Sequence, residues 1–200
     1  MTEYSLIELP YEYDELSPKI SEQVMEWHHD VHHQGYVNGV NDAEQRLQEQ
    51  REEGDFSNTA SLLNQFTHNY CGNVLHEMFW NNMSPTGGGE PEGHLMEKIQ
   101  EDFGSYENWK KEFKEAAKSA SGWALLVYIP YTNELHNVPV DDHDDGAVWG
   151  AHPVLALDVW EHSYYHDYGP ERGEFIDNFF DLIEWSDVQQ NFEEMAEKFE

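Results

Sequence analysis

Apolar positions recur at helical spacing through the first part of the chain and change period further on. The pair Ser17-Pro18 reads as a serine cap with proline at the first helical position. The pattern it opens runs to about Glu53, with Ile20, Val24, Trp27 and Val31 on its apolar stripe. A second helical pattern spans about Ser57 to Asn82, with Leu62, Phe66 and Trp80 on one side. The acidic, Gly54-containing turn between them predicts an antiparallel helical hairpin. The Gly-Pro patch from Ser84 to Gly93 then breaks the pattern. It predicts a boundary between an N-terminal hairpin domain (1–84) and a C-terminal domain (94–200), with residues 85–93 as linker.

Beyond the patch, residues 94–103 and 106–121 read as helices split by Gly104. Gly122 to Pro130 reads as a buried strand, Glu134 to Val140 as its hairpin partner and Pro153 to Asp158 as a third strand. Helices follow over about Val159 to Tyr168, Glu171 to Ile183 and Asp187 to Phe199. A small three-stranded antiparallel sheet outnumbered by helices makes the expected class α+β.

The charge balance narrows what such a chain can do. Ten Lys and Arg stand against 41 Asp and Glu, a formal charge of −31, which argues against nucleic acid because phosphate contacts need clustered cations. It argues equally against a basic membrane-surface helix. Disorder is excluded by the 14% of aromatic residues, enough to build a core. One cysteine, Cys71, rules out an internal disulfide and a multi-cysteine zinc site and fits a reducing compartment. The start, Met1 to Pro10, lacks the basic and apolar regions of a signal peptide, and no stretch reaches the length of a membrane span. A cytoplasmic location is the expectation.

Twelve histidines change the picture further. His28, His29, His32 and His33 fall within one short stretch of the first helix. His28 lies at the edge of the apolar stripe, while helical winding turns His29 and His33 progressively away. A buried ligand there is His28; the competing reading is an exposed histidine cluster. On the second helix the inward row Phe66, Asn69, Asn73, His76, Trp80 gives His76 a core position, as a ligand or as a satisfied core histidine. Asp158 closes an apolar strand, a costly place for a carboxylate unless it is paired or coordinates a metal, or else caps the following helix. His162 follows one turn later and can aim at the same point. Three imidazoles and one carboxylate suit manganese or iron, with zinc the competing ion on chemistry alone. A zincin is disfavoured by Trp80 in the stretch His76-Glu77-Met78-Phe79-Trp80, and a di-iron bundle by Asn73 where a glutamate is required.

These segments together resemble the iron/manganese superoxide dismutases over nearly the whole chain, in the manner of a salt-adapted archaeal manganese-type member. The resemblance rests on Leu9 to Leu16, Trp27 to Val37, His76 to Trp80, Asp102 to Ser105, Gly122 to Ala124, and above all Leu157 to Tyr165. It implies disproportionation of superoxide to dioxygen and hydrogen peroxide by one manganese, or iron, per subunit, cycling between +3 and +2. The ligands it implies are His28, His76, Asp158 and His162, with water or hydroxide in a fifth position. Tyr36 matches the tyrosine at the channel mouth, and Trp80, Trp123 and Trp160 match aromatics that enclose the metal. His32 and Tyr165 match a gateway pair that meets across a dimer interface, where Glu161 bonds the ligand His162 of the other subunit. A homodimer, alone or within a tetramer, is therefore implied.

Two departures stand out. The glutamine that relatives place beside the metal-bound solvent is matched by His143 on the C-terminal side, and by Asn73 at the expected second-helix place. A donor from the C-terminal side favours manganese. Val31 stands where some relatives have a lysine, leaving Arg172 as the cation expected to attract superoxide. The alternative function is a non-catalytic metal store that uses exposed His29, His32, His33 and carboxylates. A charge of −31 repels itself in dilute buffer, whereas molar salt shrinks the screening length to about 3 Å. The melting temperature should therefore rise as KCl is raised to molar levels; a flat or falling trend in a thermal melt series would contradict salt adaptation.

Overall fold

A computed structural model describes residues 3–146 and 148–199; the outer bounds 1 and 200 of the two expected domains lie outside them. The first helical stretch starts later than expected. Residues 13–19 form a run of turns, with Lys19 N–H on the Leu16 carbonyl, and α1 (Glu22–Trp27) begins where Ser21 accepts a bond from the Val24 N–H. Ser21 thus takes the capping role the sequence had suggested for Ser17. A π-helical segment (His28–His33) follows without a break and leads into α2 (Gln34–Glu53). Gly54, in the left-handed conformation at φ 72°, ends α2, and α3 (Thr59–Asn81) returns alongside it. The expected antiparallel helical hairpin is present.

The second half carries α4 (Gly93–Phe103), α5 (Tyr106–Ser119), β1 (Trp123–Ile129), β2 (Glu134–Val140), β3 (His152–Asp158), α6 (Glu161–Tyr168), α7 (Arg172–Phe179) and α8 (Trp185–Phe199). The sheet order is β2-β1-β3, all antiparallel, as expected for the α+β class. Its register matters for function. Trp123 at the start of β1 pairs with Val140 at the end of β2 and with Asp158 at the end of β3. One edge of the sheet therefore brings together a tryptophan, a carboxylate and the loop that follows Val140.

Burial explains the assembly. Trp109, Phe113, Phe175, Phe179, Phe180 and Phe192, from α5, α7 and α8 and their ends, are buried in the same apolar cluster as Leu126 and Leu155 of the sheet. That cluster continues into Val24, Leu75, Phe79 and Trp80 of the hairpin, so both halves share one core. Among the described residues no helix is long and apolar enough to cross a membrane.

A polar brace joins the halves behind the sheet. Asn82, fully buried after α3, accepts the Ala156 N–H at 2.9 Å and donates to Asp187 at 2.7 Å. Asn82→Ala would leave a strand N–H and a half-buried carboxylate without these partners, and should lower unfolding free energy by about 2 kcal/mol in denaturant titrations.

Candidate metal centre

Four side chains from four places in the chain converge. His28 Nε2 and His162 Nε2 lie 3.1 and 3.3 Å from Asp158 Oδ2, and His76 Nε2 lies 3.6 Å from it. One donor atom from each of the four sits within 4.8 Å of the others. His28, His76 and Asp158 are buried and His162 is half-buried. The tautomers are set by the surroundings. His76 Nδ1–H donates to the Gly72 carbonyl at 2.6 Å, so its Nε2 lone pair faces the cluster, where it is buried with no protein partner. Asp158 Oδ1 accepts the Trp160 N–H at 2.9 Å, which leaves Oδ2 for the histidines. The carboxylate therefore steadies the start of the α6 turn and faces the cluster at the same time.

Charge follows from burial. Burial lowers His28 to about 4, against the pull of Asp158, and holds His76 well below the ordinary imidazole value. Burial would raise Asp158, but the charges and hydrogen bonds of His162 and His28 overcome it and hold the carboxyl well below the usual range. Lone pairs on neutral imidazoles beside an ionised carboxylate are what a divalent or trivalent cation of borderline hardness requires. The donor set, with the orphaned Nε2 of His76, fits manganese or iron.

The aromatic wall is close to the donors. Trp80 packs against His28 at 4.7 Å between ring centres, Trp123 against His76 at 5.0 Å, and Trp160 lies parallel to His162 at 6.3 Å. Tyr36, half-buried, sits 5.1 Å from His76 and 4.5 Å from His143, its hydroxyl pushed up to about 12 by burial and by Asp158. His143 is buried; its Nδ1 accepts the Trp123 indole N–H at 3.0 Å and its Nε2 has no partner. His32 stacks on His162 at 4.2 Å, while Glu161 and Tyr165 remain exposed. Arg172 binds the carbonyls of Lys118, Ala120 and Val159 and lines, with Glu161 and His162, a cleft of about 510 Å³.

Three expectations are corrected. Trp27 and Val31, placed on the apolar stripe, are 48% and 61% exposed, whereas His29 and His33, expected to turn outward, are buried. The π winding is the reason: i→i+5 bonds, such as Gln34 N–H to the His29 carbonyl, bring residues five apart onto one face. His29 then bonds the Ile7 carbonyl and Asp30, and His33 accepts the Trp80 N–H and donates to Asn73. The second-helix position beside Tyr36 and His143 is Gly72, not Asn73. A Cβ there would come within 2.8 Å of the Tyr36 ring and 3.3 Å of His143, while Asn73 is turned to His33 and Glu77. Sequence reasoning missed the chain behind Trp80 that runs through buried His33 and Asn73 to half-buried Glu77; its signal was the recurrence of polar residues along an inward row of α3.

The fold and site thus define a class: an α+β chain with a candidate mononuclear centre of three histidines and one aspartate. Residues 3–84 match the alpha-hairpin domain of the iron/manganese superoxide dismutases, and residues 91–191 match their C-terminal domain. Relatives include a "Superoxide dismutase [Mn] 1" of Halobacterium salinarum, 61% identical over 200 residues and covering 100% of both chains. A "Superoxide dismutase [Mn]" of Haloarcula marismortui is 59% identical over 203 residues, again with 100% of both chains covered, and a "Superoxide dismutase [Mn] 1" of Haloferax volcanii is 60% identical over 200 residues, likewise 100% of both. The chain belongs to the iron/manganese superoxide dismutase family.

Three buried imidazoles, His28, His33 and His143, are each lowered by burial to about 4 from the ordinary 6.5. The unfolded chain binds more protons than the folded one between those values, so stability falls as pH drops through this window. Metal-free protein should therefore lose stability from about pH 6.5 toward 4, by up to about 1.4 kcal/mol per pH unit for each group. Urea midpoints that do not move over that range would contradict this.

Proposed function

We propose that this protein is a superoxide dismutase that holds one manganese ion per chain on His28, His76, Asp158 and His162. The observation that carries the reading is the convergence of three imidazole nitrogens and one carboxylate oxygen within 4.8 Å, in a chain of this family. When bound there, manganese alternating between +3 and +2 supplies the electron taken from one superoxide and given to the next. The chain's own residues do the rest. The Gly72 carbonyl keeps the His76 lone pair on the centre, and Asp158 offsets the positive charge held there. With Nδ1 accepting from Trp123, the neutral ring of His143 carries its proton on Nε2 and so faces its surroundings as a donor. Tyr36, raised to about 12, keeps its hydroxyl proton at working pH and adds a second donor near the centre. Trp80, Trp123 and Trp160 exclude bulk water around the donors.

Manganese is favoured over iron because the donor beside Tyr36 comes from His143 on the C-terminal side, with Gly72 leaving room for it. Arg172, held by carbonyls and without a carboxylate in that set of bonds, supplies positive charge at the cleft beside His162. The exposed Trp27, Val31 and Tyr165 around half-buried His32 favour a homodimer whose interface closes over this mouth, with His32 and Tyr165 as its gateway pair and Glu161 reaching the partner's ligand histidine. Two domains, 1–84 and 94–200 around linker 85–93, would each give half of the donor set. The single free cysteine and the acidic composition suit a reducing, salt-rich cytoplasm. The storage reading lacks its main donors, because His29 and His33 are buried and bonded within the chain.

Metal analysis of native protein, paired with superoxide consumption by metal-free and reconstituted samples, tests this. About one manganese per chain and activity restored by it are expected; several labile ions and no consumption would overturn the reading. His76→Ala and Asp158→Ala should each abolish metal retention and activity, whereas His143→Ala should keep the metal and change turnover.

A further inference from the structure

The disproportionation consumes two protons: two superoxide ions and two protons give one dioxygen and one hydrogen peroxide. Those protons come from bulk water and must cross the wall around a buried centre. A second cluster of titratable groups lies where such a crossing would start. His68 on α3, Asp142 and His143 bring one donor atom each within 4.8 Å of one another. The side chains of His68 and Asp142 are 39% and 43% exposed, while His143 is buried beside Tyr36. We propose that His68 and Asp142 form the solvent end of a proton path that enters the centre between Tyr36 and His143.

The geometry sets a role for each group. Asp142 Oδ1 faces His68 Nδ1 at 3.3 Å and also accepts the His143 backbone N–H at 2.7 Å. A carboxylate at Nδ1 favours the proton there and leaves Nε2 of His68 to take up and release protons. Thr67, next to His68, donates to Asp144 at 2.7 Å and ties the 141–146 loop to α3, so the pair keeps its spacing. The His68 ring meets that of His143 at 4.9 Å and that of Tyr36 at 5.8 Å. The groups around His68 are thus Tyr36 from α2, Asp142 and His143 from the loop, and Cys71 one turn along its own helix, with Asp144 held by the neighbouring Thr67.

A metal ion is a poor occupant of this cluster. The Trp123 N–H fills Nδ1 of His143, so the neutral ring has its proton, not a lone pair, on Nε2. For the same reason the proton does not pass through that ring; it passes beside it, between the rings of Tyr36 and His143, which lie 4.5 Å apart. Burial, which lowers His143 to about 4, keeps that ring neutral. The balance is simple. His68 passes one proton inward and is recharged from bulk water, twice per turnover; the two protons and the electron given up by the first superoxide convert the second superoxide to hydrogen peroxide.

The inference rests on the dismutase reading and is tested with manganese-loaded protein in molar KCl. In His68→Gln and Asp142→Asn, both changed at partly exposed sites, kcat at neutral pH should fall about tenfold with kcat/KM within about twofold. The solvent deuterium isotope effect on kcat should rise, added imidazole buffer should restore kcat, and manganese content and melting temperature should match the unchanged protein. Unchanged kcat in both variants, or a loss that imidazole does not restore, overturns the proton path while leaving the dismutase reading intact. Failure of the unchanged, manganese-loaded protein to consume superoxide would overturn the dismutase reading instead.

Discussion

One buried carboxylate governs the architecture. Asp158 is wholly inaccessible at the end of β3, in the sheet register opposite Trp123. An isolated charge there would be prohibitive, and the bonds to the Trp160 N–H and to the imidazoles of His28 and His162 are what offset it. Everything that reaches this point is arranged around it. The hairpin delivers His28 and His76 from one side, and the turn into α6 delivers His162 from the other. The shared apolar core keeps those two sources in register.

The surroundings of the centre are held by a sequence of specific contacts and not by packing alone. Trp80 is fixed through His33, Asn73 and Glu77, and Trp123 through His143. Each indole N–H therefore ends on a buried histidine: His33, which the helical pattern had turned outward, and His143, which the resemblance had already placed beside the centre. The close approach of Gly72 to Tyr36 and His143 shows how one missing side chain decides which residue lies beside the tyrosine. A dismutase with a net charge of −31 also faces an anionic substrate, so the global field repels it and attraction depends on local charge and salt screening.

Much of this was legible beforehand. Element type followed from period: the two hairpin helices, the strand pairing of Trp123–Ile129 with Glu134–Val140, and the flanking helices of the second half lie close to where their patterns put them. His28, His76, Asp158 and His162 stood out because a histidine on a core-facing row and a carboxylate ending an apolar strand both break the local rule. What was not legible was any feature set by a departure from regular winding or by a distant chain segment. The first helix begins at Glu22, its cap being Ser21 and not Ser17. The π turn over His28–His33 reverses the exposure of Trp27, Val31, His29 and His33, and the N-terminal arm at Ile7 covers His29.

The amino-acid order by itself determined the class, the sheet, the acidic character and the identity of the four donors, because these depend on residue type and short-range periodicity. The tertiary structure alone decided which nitrogen of His76 and of His143 is left without a partner, which histidines are buried, that Gly72 and not Asn73 abuts Tyr36, and that His68 and Asp142 lie beside His143. Those outcomes depend on distances between atoms far apart in the chain, and a one-dimensional pattern carries no measure of them.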